Sequence, residues 1–459
     1  MSSMTATISA TLKEERSMKM GIFFLFLAVA IVFFFIFNSN VTSDMTTTFG
    51  LNRGKAAIEL PPLELPTQMT LWAVAILIGF IGGWQLSKGF KNVNGMLLAA
   101  CLLFVFAFLT WAARGKSMNM VGMLYESLTR ATPIAFGALS GILCERAGVV
   151  NIAIEGMMLS GAMVSVVVAS ILRNHDAVHP ETGEMLYPAW LSSIGSTLEM
   201  MNISDALPWH LMIGLLGGIF IGGLLAAFHA WLSIEYKVDQ IISGTVINIF
   251  SLGMTSFLSQ RFLQPLQALN SSGTFKPMPI PGLSNIPIIG PLLFERPFLV
   301  YVLFALVIGI HVMLFYTRWG LRTIAVGEHP KAADTLGINV FRMRYINVIV
   351  GGMVAGLGGA YFTLGSVGRF DENLTAGKGF IGLAAMIFGK WTALGAFGAS
   401  LIFGFADALQ QKLQIFSSQV PIPSEFLLMG PYIITIIILA GVIGRAIPPA
   451  ADGIPYEKE

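Results

Sequence analysis

The chain has 459 residues, of which 55% are hydrophobic and only 11% charged, with a formal net charge of +2 and a mean hydropathy of +0.75. A water-soluble domain carries about 25% charged residues, so this chain lacks the polar side chains to dress a water-facing surface. It reads as an all-α polytopic membrane protein, and its small net charge excludes little, because in membranes the placement of Lys and Arg along the chain is what matters.

A bilayer-crossing helix needs about 20 mostly apolar residues. In chain order, such runs are expected at Met20–Phe37, Thr70–Leu86, Gly95–Ala113, Gly156–Leu172, His210–Leu232, Gln240–Leu258, Phe298–Tyr316, Ile346–Leu364 and Phe426–Gly444. Weaker segments lie at Ala131–Cys144, which is short, and at Gly379–Gly389 and Ala393–Ala406, which Lys390 and Trp391 separate. Together they predict about 10–12 transmembrane helices with two interrupted regions, 131–172 and 379–409. Broken hydrophobic segments in matching places point to a transport site near mid-membrane. Kinked helices packed through small residues would leave the same trace. Residues 1–19 are polar and Met20–Phe37 is long enough to remain a span, so no cleaved leader is expected.

Between two of these runs lies a polar island, 317–345, with Arg318, Arg322, Lys331, Arg342 and Arg344 against only Glu328 and Asp334. Its basic residues predict a cytoplasmic position. Pro330 suits a first helical position, Lys331–Leu336 tolerates helix, and Gly337 is placed to stop it. Counting outward, 264–297 and 173–209 fall outside the cell and 233–239, with Lys237, inside. Both termini are then cytoplasmic. Arg114, Lys116 and Arg130 fall outside on this count, against the charge rule. The glycines Gly214, Gly218, Gly222, Gly352 and Gly356 stand at small-xxx-small spacing, which lets helix backbones approach closely.

The sharpest local feature is Cys144-Glu145-Arg146-Ala147-Gly148-Val149-Val150-Asn151-Ile152-Ala153-Ile154-Glu155-Gly156. Charges beside a span are costly unless they are paired or face a wet cavity. Asn151 and Glu155 would share one helix face. They either line a polar path and pin a break between half-helices, or Asn151 caps the next helix while Glu155 sits at its positive end. Asp239, Gln240, Asn248, Lys390 and Asp407 are expected to make interhelical hydrogen bonds or interfacial charges. His175 and His179 are spaced like metal ligands but lie on a loop without a cysteine partner, and His311 and the two cysteines, Cys101 and Cys144, read as packing residues. No phosphate-binding GxxxxGK[ST], HExxH or GxSxG is present. The chain is therefore expected to hydrolyse no nucleotide, to hold no metal or cofactor, and not to be an enzyme.

Two blocks resemble the permease subunits of bacterial ATP-binding-cassette importers for nucleosides, simple sugars and branched-chain amino acids. Glu145–Ala162, ERAGVVNIAIEGMMLSGA, is similar to the G-x-x-N-I-x-x-E-G block of that family. Gly320–Ile338, GLRTIAVGEHPKAADTLGI, followed by Gly351–Gly359, resembles its coupling loop and next span. Val238–Ile249 and Gly377–Ala396 add to the likeness, which runs from about 119 to 445. The resemblance implies partners: an ATPase subunit, a second permease subunit (homologous or identical), an extracytoplasmic binding protein and membrane lipid, with no nucleic acid. It implies that Gly327, Glu328, His329, Pro330, Lys331, Ala332, Ala333, Asp334 and Gly337 couple to the ATPase. It also sets Asn151, Glu155 and Gly156 near the translocation pathway, to which Asn248 is added. The spelling NIAIEG favours the nucleoside branch. His329 departs from an Asn found in many relatives. The expected organisation is a cytoplasmic stretch 1–19, an extension 20–118 with about three spans, a permease domain 119–445 and a cytoplasmic tail 446–459. A gradient-driven transporter with a broken-helix site is the alternative.

Overall fold

The computed structural model describes residues 17–37, 41–53, 58–178, 183–200, 204–415, 429 and 446–458. The chain forms two compact units, one of residues 1–123 with 409–429 and one of residues 124–408 with 430–459. The expected span Phe426–Gly444 and His179 lie outside the described residues. Among those described, nine helices are long and apolar enough to cross a bilayer.

In the first unit, α1 (Ser17–Phe37), α2 (Thr67–Ser87) and α3 (Val93–Ala112) are apolar nearly all round. Phe26, Phe34, Ile76 and Phe80 stay exposed, as expected of side chains facing lipid. The stretch between α1 and α2 contributes two short strands. Thr46–Gly50 (β1) pairs antiparallel with Leu63–Pro66 (β2) and parallel with Ser117–Asn119 (β3), giving the order β2-β1-β3. Thr47 is buried on this sheet, where its hydroxyl meets Thr67 Oγ1 at 2.8 Å and donates to the Thr110 carbonyl at 2.9 Å.

The second unit is built round α5 (Ile154–Arg173), α7 (Trp209–Ala230) and α12 (Val340–Phe362). Their contact seam is glycine, as the spacing predicts. A Cβ on Gly161 would come within 2.7 Å of the Gly356 carbonyl, and one on Gly218 within 3.0 Å of the Gly161 carbonyl. Gly222 faces Gly352 and Gly356 in the same way. Lipid is as apolar as leucine, so helices in a bilayer associate through this close packing rather than by burying oily surface from water. Around the seam lie α4 (Met120–Glu145), α8 (Gln240–Leu258), α9 (Phe298–Tyr316), α13 (Lys378–Phe388) and α14 (Ala393–Ile415). A short helix, α6 (Ala189–Met200), precedes α7.

Two expectations change here. The weak segment Ala131–Cys144 belongs to a helix of 26 residues with Pro133 inside it. Its first half looked unlike a span because it carries Glu126 and Arg130, and Arg130 lies within that helix and pairs with Asp407 at 3.4 Å. Ala393–Ala406 is the start of a longer helix that runs to Ile415. Within 264–297, Pro277–Pro279 (β4) pairs antiparallel with Glu295–Pro297 (β5). Arg296 in β5 is fully buried, with its guanidinium 3.5 Å from the Tyr125 ring centre and donating to Thr129 and to the Tyr125 and Leu292 carbonyls.

Candidate functional site

The path between α4 and α5 is a true break. Gly148 sits at φ +80°, where L side chains are strained, and the chain runs without helix until Ile154. A break leaves backbone groups without partners, which a membrane interior tolerates only where protein supplies them. Here α7 and α8 supply them. Gln240 Oε1 accepts from Val150 N at 2.7 Å, and His229 Nε2 lies 3.0 Å from the Val150 carbonyl. Asn248 works at both ends of its amide: Nδ2 donates to the Ile152 carbonyl at 2.9 Å and Oδ1 accepts from Gly156 N at 2.7 Å. Gly156 has no room for more, because a Cβ there would lie 3.0 Å from Asn248 Cα. Asn151 is fully buried; its Oδ1 accepts from Ala153 N at 3.0 Å and its amide donates to Cys144 Sγ at 3.4 Å. The helix it was read as capping has Ala153 at its N-cap, so Asn151 shapes the break itself.

Glu155 faces a second helix start. Its Oε1 accepts from Thr375 Oγ1 at 2.6 Å and Gly377 N at 2.8 Å, and its Oε2 accepts from Gly379 N at 2.6 Å. The carboxylate, buried in the first turn of α5, thus also closes the N-terminus of α13. Both helix dipoles present their positive ends to it. An anion between two half-helix starts is how broken-helix transporters hold charged solutes; in this chain the anion is a side chain of the protein. Beside it, Lys378 donates to Asp407 at 2.8 Å, and Arg130 approaches the same oxygen.

The two interrupted regions also meet at their other ends. Between α13 and α14, Lys390 and Trp391 adopt φ of +54° and +53°, a conformation that costs non-glycine residues about 1–3 kcal/mol each. Trp391 Nε1 donates to Glu145 Oε2 at 2.6 Å, and Arg146 Nε donates to the Trp391 carbonyl at 3.0 Å. One break therefore braces the other at both ends.

The basic island folds into α10 (Arg318–Glu328) and α11 (Pro330–Thr335) between α9 and α12. The expected short helix is there, with Pro330 at its first turn and Gly337 at φ +80° just after it. His329, the departure from Asn, caps the helix in its place, with Nδ1 accepting from Ala332 N at 3.2 Å. Ala333 is the buried side chain of α11, while Lys331, Ala332, Thr335 and Leu336 are exposed, Leu336 at 81%. Gly327 closes the connection to the first break, for a Cβ there would strike the Arg146 carbonyl.

Asn151, Glu155, Gly156 and Asn248 thus come together, and the 327–337 residues form a separate element touching the same break through Gly327. The sequence reading missed α10, a helix whose strong polar and apolar faces were hidden inside a charged stretch. It also missed Gln240 and His229 as pins of the break. Their signal was a polar residue near a span, which reads equally well as an ordinary interhelical bond.

A bundle of apolar helices with two mutually braced breaks, and no closed barrel among the described residues, defines a helical membrane transport protein. Residues 123–439 match the family described as "Branched-chain amino acid transport system / permease component", and the chain belongs to it. It is 39% identical over 337 residues to the guanosine ABC transporter permease protein NupQ of Bacillus subtilis, covering 72% of this chain and 95% of that one. It is 39% identical over 351 residues to the nucleoside ABC transporter permease protein NupC of Lactococcus lactis, covering 74% and 99%. To a second nucleoside permease of that organism, NupB, it is 23% identical over 324 residues, covering 68% and 79%. No solved structure matches the chain.

Proposed function

We propose that this permease is the membrane-spanning subunit of an ATP-binding-cassette importer that carries nucleosides into the cytoplasm. The observation that carries this reading is the likeness, at 39% identity, to permeases named for guanosine and for nucleosides, over nearly the whole of each. A neutral, polar solute also suits a site where the anion between two helix starts is already Glu155. In this reading α10 and α11 lie in the cytoplasm, in keeping with the five basic residues of 317–345. Both termini are then cytoplasmic too.

The 327–337 residues dock on the ATPase subunit: Gly327, Glu328, His329, Pro330, Lys331, Ala332, Ala333, Asp334 and Gly337. The exposed face of Lys331, Ala332, Thr335 and Leu336 is a surface of mixed charge and oil that fits a groove on a protein partner. Asn151, Glu155, Gly156 and Asn248 border the translocation pathway by fixing where its half-helices begin. Hydrolysis on the ATPase biases an alternation between outward-open and inward-open states, and the permease supplies the two conformations. The different likeness to NupC and NupB, two permeases of one organism, supports a second, homologous permease as partner. A binding protein outside the membrane delivers the solute.

The test is reconstitution with an ATPase subunit, a second permease and a binding protein in proteoliposomes. Guanosine uptake that requires ATP, and that other nucleosides but not leucine compete away, is expected. Uptake by the lone permease on an ion gradient, or uptake of leucine instead, would refute the proposal.

A further inference from the structure

Residues 446–458 form neither helix nor strand, so their backbone groups must find partners elsewhere. They find them on the coupling elements. Ala451 N donates to the Gly327 carbonyl at 2.8 Å and Ala450 N to Glu328 Oε2 at 3.2 Å. Arg344 Nη1, from the buried start of α12, donates to the Ile454 carbonyl at 3.0 Å.

The side chains reach further. The Asp452 carboxyl lies near Glu145, at the end of α4, and Arg344, while a Cβ on Gly148 would lie 3.1 Å from the Ala451 carbonyl oxygen and one on Gly453 3.4 Å from Val150. Tyr456 is buried in a small apolar cluster with Val326, Ala333, Val340 and Met343, and its ring packs 5.4 Å from that of Phe341. Glu457 pairs with Lys237 in the α7–α8 connection. That pair and the one between Lys458 and Asp334 are exposed and contribute little. The weight rests on Tyr456 and on the backbone of Ala451 and Gly453.

A helix of six residues is not stable alone, so the position of α11 is decided by what Ala333 packs on. Tyr456 is part of that floor. The same segment abuts the α4–α5 break, with Ala451 against Gly148 and Gly453 against Val150, and holds Gly327 through Ala451. We propose that residues 446–458 are a strap that makes the coupling helix and the α4–α5 break move as one body, with Tyr456 as its positioning residue. This rests on the ATP-coupled importer reading. Motion imposed on α11 then reaches the Asn151–Glu155 break without being absorbed by slack in the loop.

The experiment uses the complete importer in proteoliposomes, with ATP hydrolysis and solute uptake measured together. Truncation after Ile447, and Tyr456→Ala, are expected to leave hydrolysis within about twofold while uptake per ATP falls about tenfold or more. Tyr456→Phe keeps the ring and restores the ratio. An unchanged ratio in the truncated protein would overturn the strap, as would loss of the ATPase subunit from the purified complex, which would make the segment a docking element instead. A second arm joins Lys237→Cys and Glu457→Cys with a short bis-maleimide, each single variant serving as control. Fixing the strap to the bundle is expected to leave uptake intact; uptake blocked by the crosslink would show that the segment must detach, and would overturn the proposal. Absence of ATP-driven uptake by the wild-type complex would instead refute the importer reading itself.

Discussion

Glu155 sits in a nearly dry place with three donors and two helix starts pointed at it. Hydrogen bonds to a carboxylate are each stronger than neutral ones. Glu155→Gln keeps the shape but puts an NH2 in place of one carboxylate oxygen, so that a donor faces either the Gly377 or the Gly379 amide. Thermal unfolding in detergent should show a loss of about 2–3 kcal/mol for this variant, and an unaltered midpoint would mean that the charge is not what holds α13. Asp452 behaves differently. Burial pushes its carboxyl above the ordinary aspartate value of 3.8, against the opposing pull of the neighbouring Glu145 carboxyl and the Arg344 charge. The docked form therefore binds its proton more tightly than the undocked form. Its contribution to stability is complete below 3.8 and is lost as pH rises through the raised value. The unfolding midpoint is expected to fall as pH rises from about 4 to about 7, and Asp452→Asn should flatten that slope. A slope identical in the variant would exclude Asp452 as its source.

At the scale of elements, the α5–α7–α12 seam holds the bundle together and the cap of α11 holds the coupling helix. An added methyl at Gly161 meets backbone atoms of Gly356, which cannot swing aside as a side chain would. Gly161→Ala should cost about 1–3 kcal/mol through overpacking. Gly253 on α8 is the contrast, since a Cβ there meets nothing within 4 Å, and Gly253→Ala should gain up to about 1 kcal/mol from chain entropy. Equal effects at the two sites would contradict a seam built on contact. At α11, His329→Asn preserves a capping acceptor whereas His329→Ala removes it, a loss of about 0.5–2 kcal/mol concentrated on a helix of six residues. Uptake per ATP in the reconstituted importer should therefore survive the first change and drop with the second.

The whole molecule works by linking two regions that the sequence keeps apart. Residues 145–156 and 375–391 are more than 200 positions from each other, yet Glu155 reaches Thr375 and Trp391 reaches Glu145. The 446–458 segment adds α11 to that assembly. Ala333→Arg would force a charge into the cluster around Tyr456 and displace α11 without touching either break. ATP hydrolysis should continue while uptake stops, and retention of both would exclude α11 as the transmitting element.

Much of this was legible in the chain itself. Apolar length marks a bilayer span without help from neighbours, because every backbone bond of such a helix is internal. Pro330 and Gly337 bracket α11 through local backbone preference alone, and glycine spacing announces a close seam. Most of the spans and the short capped helix were therefore determined by local chemistry, and the family was legible in the resemblance of the blocks 145–162 and 320–338. What only the tertiary structure decided was the partner of each polar group. Asn151 read equally as a pin of the break or as a helix cap, and it shapes the break; Glu155 looked equally like a path residue or a dipole partner and is bound to a helix start far along the sequence. Arg130 looked like a loop residue and lies inside α4, paired with Asp407. A side chain's partner depends on which helices pack together, and that choice is written in no single stretch of sequence.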